Sequence, residues 1–291
     1  MSDTKRKCDD RTQLVSTKGL KSLGGRPSVK DYLSDTIRCR AFIIAQGRAQ
    51  ANRQTKGYRL WRLWLVINPF LDVLLYAFLF GYLLKTSRGI PNFVGYVVIG
   101  VIFMRMMTGM MLRGSQLLSQ SKGLVLGFNI PKSSIVLAQV ARHSVENATA
   151  GMVGVAVALA FQFPKINWTI VWVVPLFLLL HVFGAGLMFI TARVTTFSPE
   201  LDALLKVLSQ AWFFLSGVMY TVERFASNQA IYDFMTRNPA YVFLQAIREA
   251  VLYGTTPSLE CWGYLVAWSA ATFMLGFIYF WGAEHRYAKR V

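Results

Sequence analysis

The chemistry of this sequence sits in the few ionisable and aromatic side chains buried inside long apolar runs. A charge in hydrocarbon is costly and persists there mainly when paired or functional. Asp72 and Arg105 each lie about eight residues, or about 12 Å of helix, from the same end of their two successive runs. That common depth makes them an expected in-membrane ion pair. Arg142 and Glu146 stand at i, i+4 and can pair on one helix. Pairing and snorkelling account for these two as well as a functional role does. Trp212, Phe213 and Phe214 fall in the middle of another run, with Tyr220 near its end. Such rings pack in cores, and their faces also stack against sugars.

Other chemistries lack the residues they need. No Gly-x-x-x-x-Gly-Lys-Ser/Thr loop is present to cradle a nucleotide phosphate. Leu118-Ser119-Gln120 echoes an ATPase signature but lacks its glycines. No His/Cys/carboxylate group has metal-ligand spacing, so neither a metal nor a cofactor is expected on this chain. No catalytic set stands out. His143 and His181 are solitary, and a solitary histidine in a helical bundle is read as hydrogen-bonded structure. Cys8, Cys39 and Cys261 are odd in number and far apart, which gives no disulfide framework.

The elements that must position these groups are apolar segments at 63–84, 94–112, 145–163, 170–192, 204–220 and 262–281. Each is close to the roughly 20 residues that a helix needs to cross a hydrocarbon core about 30 Å thick. Without water there, each must satisfy its backbone internally. Composition agrees: 54% of the 291 residues are hydrophobic and 15% charged, against about 25% charged in a soluble domain. The expected fold class is all-α integral membrane. It has six transmembrane helices, an amphipathic interface helix before them and a short re-entrant helix before the last.

Charge sets the topology. The net charge is +17, and most of the surplus precedes residue 63, including Lys5, Arg6, Lys7, Arg48, Arg53, Lys56, Arg59 and Arg62. Beside a hydrophobic span such a stretch marks the cytoplasmic side, with anionic lipids rather than nucleic acid as counter-charge. Six spans then place both termini in the cytoplasm. No cleavable signal peptide is expected, since the first apolar run begins so late. Residues 1–28 read as a disordered cytoplasmic arm. Residues 29–62 read as an interface helix and linker, with Val29, Leu33, Ile37 and Ile44 at helical spacing. Residues 63–291 form the six-span domain.

Two connections carry structure of their own. The stretch 113–134 should be cytoplasmic, yet it holds Leu117, Leu118, Leu124, Leu126 and Phe128. Such a loop either docks a partner or tucks against its own bundle. The stretch 221–261 is long for a connection. Asn238-Pro239 is a helix start, Val242, Phe243, Ala246 and Ile247 follow at helical spacing, and Gly254 is a stop. This predicts a short amphipathic helix on the outer face.

These motifs in this order resemble the permease subunits of type-2 ABC exporters, in the branch that exports polysaccharide, O-antigen and teichoic acid. The resembling residues are Trp64-Leu65-Val66-Ile67-Asn68-Pro69 entering the first span, then Ser121-Lys122-Gly123-Leu124-Val125 with Asn129-Ile130-Pro131-Lys132. Asn238-Pro239 leading to Ile247-Arg248-Glu249 and Leu252-Tyr253-Gly254 follows, and the basic tail Arg286-Tyr287-Ala288-Lys289-Arg290 closes the set. Trp61 departs from the glycine of the family pattern. The resemblance implies a homodimer in the bacterial cytoplasmic membrane, with two copies of a separate ATPase subunit that bind ATP and Mg. Ser121, Lys122, Gly123, Pro131 and Lys132 would then belong to the ATPase coupling loop. Arg48, Arg53 and Arg59 would meet the pyrophosphate of a lipid-linked glycan where it enters. Trp212, Phe213 and Tyr220 would line its path, and Asn238, Pro239 and Arg248 would belong to an outer gate helix. The cargo expected is an O-antigen, capsule, teichoic acid or galactan-like glycan. Export of a drug or small lipid is the alternative, with a membrane-embedded glycan transferase further behind.

Overall fold

The computed structural model describes residues 28–53, 92–162 and 167–290, with 67, 71, 74, 75, 78 and 90 as isolated positions. The arm, most of the first expected span, Asp72, Arg59 and the side chain of Arg53 lie outside the described residues.

All regular structure among the described residues is helical. Two helices open it, α1 (Val29–Arg38) and α2 (Arg40–Arg53), where one continuous helix was expected; they separate at Cys39. Next comes α3 (Phe93–Gly114), started by Asn92, whose side chain accepts from the Gly95 amide at 2.9 Å. The stretch 113–134 folds into two short helices, α4 (Leu117–Gln120) and α5 (Lys122–Gly127). Then follow α6 (Ser133–Ala160), α7 (Val173–Phe197, led in by the 3-10 turn Trp168–Trp172) and α8 (Leu201–Leu215). After α8 the chain forms α9 (Gln229–Thr236), α10 (Pro239–Arg248), α11 (Leu259–Trp281) and α12 (Glu284–Arg290).

Three of these segments are long and apolar enough to cross a membrane: Phe93–Gly114, Trp168–Phe197 and Leu259–Trp281. Helix α6 has the length, at 28 residues, but carries Arg142, His143, Glu146 and Asn147. Helix α8 has 15 residues, about 22 Å, where a longer span over 204–220 was expected. It stops because Gly217 turns the chain at φ 60°. The side chain of Arg248 then holds the Gly217 and Val218 carbonyls, at 3.1 and 2.9 Å.

Two apolar cores define two ends of the bundle. At the end called here the cap, α3 from Phe93 to Met107 packs with Leu176, Leu180 and Phe183 of α7 and with Phe243, Leu244 and Ile247 of α10. At the base, Met110 of α3 and Met188 and Phe189 of α7 pack with Leu117, Leu118, Tyr32, Phe280 and Tyr287. Along its most apolar stretch α3 is 83% buried and α11 only 22%, so α3 is the axle and α11 a peripheral wall. That wall lies tight against α7. A Cβ on Gly186 would sit 2.4 Å from the Thr272 carbonyl, and one on Gly276 would sit 2.4 Å from the Gly186 oxygen. Only glycine lets the two backbones approach so closely.

Candidate functional site

At the base, three separate elements meet in one buried hydrogen-bonded joint. Tyr32 of α1 donates to Glu284 Oε2 of α12 at 2.7 Å and accepts from the Ser133 amide at 3.0 Å. The Lys132 amide donates to Glu284 Oε1 at 2.9 Å, and the Thr36 and Ser133 hydroxyls lie 2.7 Å apart. Ser133 opens α6, so its amide has no partner inside that helix. Burial pushes the Glu284 carboxyl above its ordinary range, opposed by the Lys132 amide and the Tyr32 hydroxyl. Burial likewise raises the Tyr32 phenol well above 10.

This joint fixes the end of the expected coupling loop. Lys132 is tied to Glu284, and its Nζ donates to the Ile130 carbonyl at 3.0 Å. Ser121 lies between α4 and α5, its amide bonded to the Leu117 and Leu118 carbonyls. Leu117, Leu118 and Val125 tuck against the bundle, while Leu126 and Phe128 stand 53% and 57% exposed. Lys122 and Gly123 are exposed beside them, with open space around Gly123. The tucked alternative is realised on one face of the loop, and the other face is an exposed apolar ridge. Helix α2 rests on α6 where a Cβ on Gly47 would lie 3.0 Å from the Ala138 carbonyl, leaving Arg48 exposed.

Between the ends, Arg142 Nε pairs with Glu146 Oε1 at 2.8 Å, as the i, i+4 spacing predicts. His143 lies 3.3 Å from the other Glu146 oxygen. His181 donates from Nδ1 to the Phe177 carbonyl at 2.8 Å, which leaves Nε2 to accept from Asn147 Nδ2 at 3.1 Å. Both histidines are bonded structure. Arg105 projects from the exposed side of α3, and its expected partner Asp72 is outside the described residues.

At the cap, α8, α9, α10 and α11 enclose a cleft of about 460 Å³ lined by Trp212, Leu215, Asp233, Phe234, Arg237, Asn238, Pro239 and Trp268. Asn238 organises it. Its Oδ1 caps α10 through the Ala240 amide at 3.1 Å and accepts from Trp212 Nε1 at 3.0 Å, while Nδ2 donates to Ser216 Oγ at 2.9 Å. Trp212, Asn238 and Pro239 are thus brought together. Phe213 packs on the cap core instead, and Tyr220 bonds the Phe214 carbonyl with its ring 5.6 Å from Phe225. Arg248 is fully buried behind the cleft. It holds the carbonyls of Gly217, Val218 and Tyr96, and its guanidinium lies 3.4 Å from the Tyr96 ring centre.

Sequence reasoning missed Asp233, Phe234, Arg237 and Trp268. The signal for α9 was present: Asn228 caps it by accepting from the Ile231 amide at 3.3 Å, and Ile231, Phe234 and Met235 follow at helical spacing. Among the described residues no cluster of His, Cys, Asp or Glu is arranged to hold a metal ion. These groups give a hydrogen-bonded linkage at the base and an aromatic-lined cleft at the cap.

Residues 45–252 match the ABC-2 type transporter family. The O-antigen export system permease protein RfbA of Myxococcus xanthus is 22% identical over 218 residues, covering 74% of this chain and 81% of that protein. The chain therefore belongs to the ABC-2 type transporter family, whose members are membrane transport subunits that work with an ATP-binding subunit and are not themselves ATPases.

Proposed function

We propose that this chain is the permease of an ABC exporter that carries a lipid-linked polysaccharide across the bacterial cytoplasmic membrane. It acts as a homodimer on two copies of an ATPase subunit, which bind the ATP and Mg. The observation that carries export is the base: an apolar ridge at Leu126 and Phe128 stands free while its root is locked to α1 and α12 through Glu284. A push on that ridge moves the bundle rather than bending a loop. The glycan cargo is supported by the similarity to the O-antigen permease.

In this reading the base faces the cytoplasm, where the basic arm and tail meet anionic lipid. Helices α3, α6, α7, α8 and α11 alternate between cap and base, and the run at 63–84 supplies a sixth crossing. The exposed Val29, Leu33 and Ile37 on α1 face the membrane, opposite the buried Tyr32 and Thr36. Arg48, Arg53 and Arg59 then meet the pyrophosphate of the lipid-linked glycan as it enters. Asp72 and Arg105 pair within the membrane, α10 is the re-entrant gate helix at the outer face, and Trp212 and Tyr220 border the path, with Phe213 behind them in the cap core. ATPase closure biases the dimer between inward and outward states.

The test is depletion of the protein in its host while radiolabelled lipid-linked sugar is followed across the cytoplasmic membrane. Long glycan accumulating on the inner side, with loss from the surface, is expected; unchanged surface glycan rejects this cargo. An apolar groove of about 380 Å³ between α3, α6 and α7, lined by Phe103, Gly151, Met152 and Phe177, favours a second cargo, a drug or small lipid. Depletion that sensitises cells to a hydrophobic toxin, with surface glycan intact, would establish it.

A further inference from the structure

The cap cleft has a composition that neither lipid packing nor the fold requires. Trp212 from α8, Phe234 from α9 and Trp268 from α11 all border one volume. Trp212 is a fixed platform, held by Asn238 at its Nε1 and backed by Phe183 with ring centres 6.2 Å apart. Trp268 is 42% exposed and is backed by Tyr264, whose hydroxyl bonds the Arg237 carbonyl and so ties α11 to the joint between α9 and α10. Phe234 stands 63% exposed at the rim. Among these rings stand one carboxylate and one guanidinium. Asp233 on α9 and Arg237 just past its end are four positions apart, yet they do not pair. Asp233 takes a hydrogen bond from Gln229 Nε2 at 2.7 Å, and Arg237 has no ion pair among the described residues.

The pairing of these features selects among ligands. An acyl chain would use the rings and give neither charge a partner, leaving Asp233 with its one bond from Gln229 and the Arg237 guanidinium with none among the described residues. An anionic headgroup would suit Arg237 and be repelled by Asp233, and a cation would meet the reverse. A neutral polyhydroxylated ring suits all of it. Its C–H faces lie on aromatic faces, its hydroxyls donate to the carboxylate, and they accept from the guanidinium. The cleft lies within the range of about 300–1,000 Å³ typical of small-molecule sites. We infer that this cleft is a carbohydrate subsite that holds a short run of sugar units of the passing chain. Trp212 and Trp268 act as stacking faces, and Asp233 and Arg237 bond the hydroxyls. This rests on the glycan cargo proposed above.

The test uses the intact exporter in its host and the host's own glycan as the probe. A photoreactive phenylalanine analogue replaces Phe234 at the rim, with Leu275, an exposed residue of α11 outside the cleft, as the control position. Irradiation is expected to give a carbohydrate-bearing, periodate-sensitive adduct at 234 and none at 275. Adding Trp268→Ala should lower its yield about three- to tenfold, and Trp268→Tyr should largely restore it. A lipid adduct, or no carbohydrate, at 234 in cells that still display surface glycan would overturn the subsite and leave the cargo standing. Loss of the cargo reading shows separately, in the depletion experiment. If the variant at 234 fails to insert, Leu215 on the opposite wall takes the analogue with the same two outcomes.

Discussion

Tyr32→Phe isolates the joint at the base. The phenylalanine ring keeps the contact with Phe277, whose ring centre lies 5.8 Å away, so little packing is lost. Two polar links go with the hydroxyl. Glu284, buried, loses a donor at 2.7 Å, and the Ser133 amide at the start of α6 loses its acceptor at 3.0 Å. A hydrogen bond to a charged group contributes about 1.5–3 kcal/mol, and an orphaned buried amide costs about 1–3 kcal/mol. With partial relaxation the joint should weaken by about 3 kcal/mol, equivalent to a little over a hundredfold in local opening. Hydrogen exchange of the chain in lipid nanodiscs, read by mass spectrometry, is the assay. Peptides over 28–39 and 128–136 should exchange about a hundredfold faster, with those over 238–254 unchanged. In the assembled exporter, ATP hydrolysis should persist while transport per ATP falls. Unchanged exchange at the base would refute the joint. Equal acceleration at the cap would refute its confinement to the base.

Three further outcomes follow from the same geometry. Burial raises the folded carboxyl of Glu284 above its ordinary value. The stability it contributes is therefore fully present below the unfolded carboxyl pKa and is lost as pH rises through the folded one. Thermal stability should fall as pH rises through the window just above the ordinary carboxylate range, and Glu284→Gln should flatten that slope in melting curves. Arg248→Lys cannot span three carbonyls and a ring face with one ammonium. It should loosen the turn at 216–220 by about 2–3 kcal/mol, seen as faster proteolysis there with the base unaffected. Phe128→Asp should leave the melting temperature unchanged because the side chain is exposed, yet reduce co-purification of the ATPase subunit; undiminished co-purification would remove Phe128 from that interface.

The parts legible in the sequence are those governed by local rules. The apolar runs at 94–112, 170–192 and 262–281 became α3, α7 and α11 because length and hydropathy alone decide them. Asn238 and Gly254 bracket a helix and its final turn because capping and a φ of 66° are properties of those residues. Arg142 and Glu146 met because they share a helix face. What was illegible depends on distant partners. Tyr32 and Glu284 are 252 positions apart, and no periodicity links them. The turn that ends α8 at Gly217 is held by Arg248, some thirty residues later. Trp212 stood out as an aromatic in an apolar run, but its cleft is completed by α9 and α11.

The two ends are not independent, because α3 is pinned to α8 at both of them. At the base, Ser115 just beyond α3 donates to Asp202 in the first turn of α8 at 2.7 Å. At the cap, the Tyr96 hydroxyl donates to the carbonyls of Gly217 and Tyr220, at 3.2 and 2.9 Å, beyond the end of α8. Parting the two helices would break both links and uncover Arg248, whose charge lies between them and α10. Such a move costs several kcal/mol in a region with little water. A transport cycle that keeps these links must therefore move α3 and α8 together. The path then has to open on the other face of α8, where Leu204, Val207, Leu208 and Phe214 are exposed. In the proposed homodimer, that face turned toward the second copy lets both α3–α8 units tilt apart, each carrying α7 with it through the buried bond from Thr191 to the Met111 carbonyl. The base joint delivers the tilt, since α12, α1 and the root of the ridge already act as one body.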